Sequence, residues 1–262
     1  MEAAGTHVPA AGMTGPVGGP RARSLRSRLL AAGLTDTDRA LRLLEEPALG
    51  AFDSDALITA LAATADPDLA LLTLLRLLTT CDADRRHQLE DLLRLALLPA
   101  TQAPDDAHEH LRRLLAALGA SRALGDVLVT HPALLARLSP AHAPEEDTAA
   151  FGAGVRTRLA EAVARALAAP QPVRAATRAL RVAYYSELLG VVADDLTSAE
   201  PVAHVSVVAE RMSALADAAL DAALAVARTS VGTAAEDVAL AVIALGKTGA
   251  RELNYVSDVD VV

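Results

Sequence analysis

Asp258 and Asp260, one valine apart in the run YVSDVDVV, have the residue type and spacing best suited to chemistry in this sequence. In an extended chain alternate side chains share a face, so the two carboxylates stand side by side, about 7 Å apart. That is close enough to share a pair of hard cations, and carboxylate oxygens suit Mg²⁺. Upstream lies Gly246-Lys247-Thr248-Gly249. Its glycines allow close approach of the backbone to a ligand, and a helix starting there would aim N–H groups at phosphate oxygens. Together the two features describe metal-assisted phosphoryl or nucleotidyl transfer. Each alone is common, and two aspartates on an exposed strand edge also discourage aggregation.

The elements that must position these residues follow from hydrophobic periodicity. From Arg21 onward apolar residues recur at helical spacing. Gly33 reads as the end of a first helix, and Thr35 as the cap of a second that runs to Glu45-Glu46-Pro47. Asp66, Pro67 and Asp68 mark a helix start as N-cap, first helical residue and first-turn acid. Further helices are expected near 83–98, 106–118, 121–130, 148–168, 173–195 and 202–228, and the proline-rich stretch 139–147 reads as an internal loop. At residue 237 the period changes. VALAVIAL reads as a buried strand, and YVSDVDVV as a second, with Val256, Asp258, Asp260 and Val262 on one face.

The string ALGKTGARELNYVSDVDVV, residues 244–262, resembles the G-x-G-K-x-G-x-R-E-L-N-x-x-S-D-x-D segment of the glutamine synthetase adenylyltransferase/adenylyl-removing enzymes. The matching positions are Gly246, Lys247, Gly249, Arg251, Glu252, Leu253, Asn254, Ser257, Asp258 and Asp260. Ala244 stands where that family often has glycine, and Ala250 replaces a second small residue. TADPDLALLTLLRLL, LGASRALGDVLVTHP and LRVAYYSELLGVVADDL look similar too, in the style of actinobacterial members, so the resemblance spans most of residues 25–262.

The resemblance implies a mainly α protein, a helical bundle leading into the start of a DNA polymerase beta-like nucleotidyltransferase α/β domain. The divisions expected are a disordered tail over 1–20, a helical region over 21–235 and the start of the adenylyl-removing domain over 236–262. It further implies that Asp258 and Asp260 are catalytic and hold Mg²⁺, and that Gly246, Lys247, Gly249, Arg251, Asn254 and Ser257 bind phosphate or nucleotide. Arg251, Glu252 and Asn254 would shape the turn or neutralise charge. The implied reaction is phosphorolytic removal of AMP, as ADP, from a tyrosine of glutamine synthetase. A C-terminal half beyond this chain would add AMP from ATP. Implied partners are glutamine synthetase, ATP, ADP, phosphate and the PII signalling protein. A third carboxylate would come from a later strand, so the chain is expected to be the first part of a longer protein. The competing readings are a non-catalytic helical docking module and another kind of nucleotidyltransferase.

Composition bounds these readings. Half of the residues are apolar, Trp is absent, and Leu and Ala dominate, which favours helices. A net charge of -9 disfavours non-specific nucleic-acid binding. No apolar stretch approaches the length of a membrane span. Cys81 is the only cysteine, which excludes an intrachain disulfide and fits a cytoplasmic protein. Cys81 itself reads as a small buried apolar residue.

Three polar clusters read as structural. Asp105 to His110 (DDAHEH) is a solvated helix start, since histidines two apart diverge. Arg174, Arg178 and Arg181 form a stripe beside Tyr184 and Tyr185, expected as a salt-bridged helix face, with a basic rim facing the active site or the partner as the functional alternative. Glu210, Asp217 and Asp221 are expected on a solvated face.

Overall fold

The computed structural model describes residues 24–144, 147–235 and 237–262. The tail expected over 1–20 lies outside them. Eleven helices are seen among the described residues: α1 (Leu25–Ala31), α2 (Thr37–Leu44), α3 (Ser54–Leu61), α4 (Pro67–Thr80), α5 (Ala83–Ala96), α6 (Asp105–Ala120), α7 (Arg122–Thr130), α8 (Thr148–Leu167), α9 (Pro172–Leu196), α10 (Pro201–Val231) and the single turn α11 (Gly246–Gly249). The protein is mainly α.

Helix starts follow side-chain chemistry. Asp53, Asp66, Asp82 and Asp147 each accept a backbone N–H of the first turn, satisfying donors that the helix itself leaves unpaired. Pro67, Pro172 and Pro201 occupy the first helical positions. The cap of α2 is Asp36, not Thr35. Thr35 instead donates through both its backbone N–H and its hydroxyl to Asp68, each at 2.7 Å, tying the α1–α2 turn to the start of α4.

Buried apolar residues fall into two clusters. The first runs from Leu29 to Leu138 and takes in Leu189, Val192 and Ala193 of α9. Cys81 is buried here, and burial pushes its thiol above its ordinary range. The second joins Phe151, Val155, Leu159 and Val163 of α8 to Ala176 and Val191 of α9 and to the α10 stripe from Val208 to Val226. α8, α9 and α10 pack on one another as a three-helix layer, and α6 packs against α4, α5 and α9. Helix α9 therefore belongs to both layers. Glu187, 3 % exposed, fixes this junction. It accepts two bonds from Arg158 of α8, at 2.8 and 2.9 Å, and one from Arg137 at 3.2 Å. A buried carboxylate requires such partners.

The two expected strands are not formed as strands. Among the described residues there is one isolated antiparallel bridge, Ala244 to Val261. Ile243 and Val262 exchange backbone bonds at 2.9 and 3.0 Å, and the Leu245 N–H donates to the Asp260 carbonyl at 2.8 Å. Residues 238–242 have no ladder partner, and Tyr255 and Val256 form a turn rather than the start of a strand. Val238, Leu240, Val242 and Ile243 are exposed where a buried strand was expected. The reason is general: two strands alone are marginal, and β-branched apolar residues hold a strand only when other strands or helices cover their faces.

Candidate functional site

Residues 244–262 leave the bridge, turn through α11 and return to it. Gly246 has φ +53°, a left-handed conformation that glycine adopts without penalty. A Cβ built there would lie 2.6 Å from Oδ2 of Asp260, so the carboxylate rests directly against the bare Cα of the turn. Gly249 has the same requirement on the opposite side: a Cβ would stand 2.5 Å from the Ala244 carbonyl oxygen. Spacing alone did not reveal why both positions are glycine; the close backbone and carboxylate approaches explain it.

Lys247, Asn254 and Ser257 meet beside this turn. The Lys247 Nζ donates to the Ser257 hydroxyl at 3.1 Å, and that hydroxyl donates to Oδ1 of Asn254 at 2.8 Å. The same Asn254 oxygen accepts the Val256 N–H at 3.1 Å, an Asx turn that re-aims the chain toward Asp258 and Asp260. Asn254 thus shapes the turn. Arg251, at φ +60°, points away from the carboxylates, with Nη1 3.7 Å from Asp217 of α10. Asp258 and Asp260 are exposed. The structure brings Gly246, Lys247, Asn254, Ser257 and Asp260 together, and takes Arg251 to the helical body.

The body holds this segment by long-range contacts that carry no local sequence signal. Leu253 is 4 % exposed and inserts into the second apolar cluster, whereas Val256, three residues on, is 94 % exposed. The Leu253 N–H donates to the Ser213 hydroxyl of α10 at 3.4 Å. The Tyr255 hydroxyl donates to Asp195 of α9 at 2.8 Å. Burial, and then the bond to the Asp195 carboxylate, push the Tyr255 phenol far above its ordinary range.

Its neighbour Asp194 faces the other way. Arg211 Nη1 donates to it at 2.7 Å, His204 Nε2 lies 3.1 Å away, and Arg113 Nη1 of α6 is at 3.5 Å. Two adjacent acids of α9 thus divide their work, one joining α6, α9 and α10, the other seating the motif. All three tyrosines of the chain, Tyr184, Tyr185 and Tyr255, line a cavity of about 390 Å³ behind the segment.

Two expectations about charged faces are corrected. Glu210 accepts the Thr148 hydroxyl at 2.7 Å, Asp217 faces Arg251, and Asp221 pairs with Arg156 at 2.7 Å, so the acidic face of α10 is partnered rather than merely solvated. Arg174, Arg178 and Arg181 are exposed and form no ion pair among the described residues: α9 carries no acid before Glu187, and no neighbouring element brings a carboxylate within reach. His108 and His110 are half-buried rather than solvated, and burial holds the His110 imidazole below its ordinary range.

No group of three or more metal-ligating side chains occurs among the described residues. Asp258 and Asp260 still fit Mg²⁺, a hard cation commonly held by one or two carboxylates together with substrate phosphates. Both carboxylates are exposed, and the bare Cα of Gly246 is what lets that of Asp260 sit against the turn. None of the described helices is long and apolar enough to cross a membrane.

Comparison with known proteins agrees with the motif. The chain is 42 % identical over 251 residues to the bifunctional glutamine synthetase adenylyltransferase/adenylyl-removing enzyme of Streptomyces avermitilis, covering 92 % of this chain and 22 % of that protein. It is 43 % identical over 244 residues to the protein of the same name from Mycobacterium avium, covering 88 % and 22 %. The Streptomyces coelicolor protein is 41 % identical over 245 residues, with coverage of 92 % and 22 %. The chain therefore spans between a fifth and a quarter of the length of these curated relatives. No solved structure matches it. The profile described as glutamate-ammonia ligase adenylyltransferase matches residues 111–262, more than half of the chain and all of the motif segment, and the chain belongs to that family.

Proposed function

We propose that this chain is the N-terminal part of an enzyme that regulates glutamine synthetase by removing AMP from one of its tyrosines, with phosphate as acceptor and ADP as product. The observation that carries this reading is the Asp260 carboxylate lying on the bare Cα of Gly246, with Lys247 and Ser257 beside it, on a segment pinned to the helical body. Asp258 and Asp260 would hold Mg²⁺, which when bound neutralises charge on the phosphoryl oxygens. The Gly246–Gly249 turn and Lys247 would receive phosphate oxygens: the turn offers backbone N–H groups and the lysine a point charge. Lys247 already rests on Ser257, so an arriving phosphate competes for a cation held in place rather than one free to swing. Asn254 keeps Ser257 in position, and Arg251, which faces Asp217, would be available to a phosphate or nucleotide only by leaving that weak pair. Addition of AMP from ATP, and regulation through the PII protein, would belong to the remainder of the longer protein.

In that longer protein, Asp258→Asn with Asp260→Asn should lower Mg²⁺-dependent release of AMP from modified glutamine synthetase at least a hundredfold and leave AMP attachment largely intact. Equal loss of both activities would refute the assignment to the removing reaction. The 262-residue chain by itself is expected to form no ADP from modified glutamine synthetase, phosphate and Mg²⁺. One bridge cannot hold the two carboxylates to the tolerance of about 1 Å that in-line transfer requires.

A further inference from the structure

A groove of about 930 Å³ runs between the C-terminal end of α8, the first half of α9 and the 3-10 turn Pro132–Leu138. Its walls are apolar and small, with Leu134, Ala162, Ala179 and Val182 among them, and three arginines, Arg165, Arg174 and Arg178, stand on it. Among the described residues no carboxylate lines it. In a chain with 33 acidic and 24 basic residues this is the reverse of the overall balance.

Other helix arginines divide into paired and unpaired, and Arg39 and Arg42 of α2 also lack an ion pair among the described residues; what sets the groove apart is that its arginines stand together over an apolar floor. Arg76, Arg94, Arg112 and Arg156 each face a carboxylate at 2.7–2.8 Å. Arg174 and Arg178 are exposed without an ion pair among the described residues, and Arg165 has only an exposed Glu161 at 3.5 Å. Such cations keep full capacity for an external anion.

We infer that this groove docks an acidic protein segment: a helix or extended stretch that lays small apolar side chains against Leu134, Ala162 and Val182 and sets carboxylates against Arg174 and Arg178. The argument is charge complementarity over an apolar floor. Arg174 and Arg178, four residues apart on one helix, present two forks of donors one turn apart, which suits carboxylates at matching helical spacing. A nucleic acid is a poorer occupant. Among the described residues the groove offers no aromatic ring for base stacking, and the chain carries -9 overall. Resting on the reading above, the partner that brings this segment is glutamine synthetase, and the groove is where the helical body holds it while the motif segment acts.

The test is binding of the 262-residue chain to immobilised glutamine synthetase. Three forms are compared: wild type, Arg174→Glu with Arg178→Glu, and Arg39→Glu with Arg42→Glu. The last pair makes the same charge change on exposed positions of α2, away from the groove. Circular dichroism and thermal midpoint confirm that each variant is folded. The expected result is a Kd raised at least tenfold by reversal in the groove and changed less than threefold by reversal on α2, with wild-type binding weakening as salt rises from 50 to 300 mM. Equal binding by all three forms would overturn the groove while leaving glutamine synthetase as partner. Absence of wild-type binding would also overturn it, and the AMP-release assay decides the functional reading separately. Tight binding of an oligonucleotide that the groove reversal abolishes, with glutamine synthetase binding unchanged, would assign the groove to the other polyanion and refute the proposal.

Discussion

Leu253→Ala should release the motif segment from the helical body while leaving the body folded. Four contacts hold the segment: the buried Leu253 side chain, the 3.4 Å bond from its N–H to Ser213, the 2.8 Å bond from Tyr255 to Asp195, and the 3.7 Å Arg251–Asp217 pair. The last is exposed and worth at most about 1 kcal/mol. The two neutral-donor bonds contribute about 1 kcal/mol each, somewhat more for the one to a carboxylate. Truncating a buried leucine costs about 2–5 kcal/mol, so Leu253 is the largest single term. At about 1.4 kcal/mol per decade, local opening of the segment should rise between about thirtyfold and a few thousandfold.

Native-state hydrogen exchange reads this directly. The amides of Gly249, Ala250 and Glu252, which close the turn onto Leu245, Gly246 and Lys247, should lose protection by that factor. Those of Val155 and Leu159 in the core of α8 should not. Unchanged exchange at 249–252 would show that the segment is held by something other than Leu253. Equal acceleration across α8 would show that Leu253 belongs to the cooperative core rather than to a separable anchor. Arg251→Ala, by comparison, should change these rates less than about fivefold.

Three further outcomes are expected. Because burial raises the Tyr255 phenol pKa, the folded chain holds that proton longer than the unfolded one; stability is full below about pH 10 and falls above it, and Tyr255→Phe should flatten that alkaline loss in denaturant titrations. His110 has the opposite sign: its folded pKa is lowered, so stability is full above about pH 6.5 and declines as acid protonates the unfolded state first, a decline that His110→Gln should lessen. The Thr248 hydroxyl is buried without a hydrogen-bond partner among the described residues, so Thr248→Val should be neutral or raise stability by up to about 1 kcal/mol, and a measured loss above about 1 kcal/mol would show that the hydroxyl is bonded.

The helices and the family motif were legible in sequence for separate reasons. Helix ends are written in local residue types, such as Asp66 before Pro67, and the apolar stripe that each helix buries repeats at a period of 3.6. The motif was legible because it is a short string of fixed residue types at fixed spacings, here Gly246 to Asp260, and it lies within the segment that the family profile matches. Thr35 shows where local reading fails: it has the chemistry of a cap, but Asp68, 33 residues away, takes its hydroxyl, and Asp36 caps instead.

Tertiary structure alone decided the rest. The apolar run after residue 237 has the composition of a strand, yet strand formation depends on neighbours that cover it, and the described residues supply only one bridge. Asp194 and Asp195 are adjacent and identical in type. Only packing sends one to Arg113, Arg211 and His204, and the other to Tyr255. Likewise, the arginines of α9 resemble those of other helices, but ion pairing depends on which carboxylates neighbouring helices bring within reach, and none reaches Arg174 or Arg178 among the described residues. Short-range spacing sets the order of residues in the motif; the long-range contacts of Leu253 and Tyr255 decide where that segment stands on the molecule.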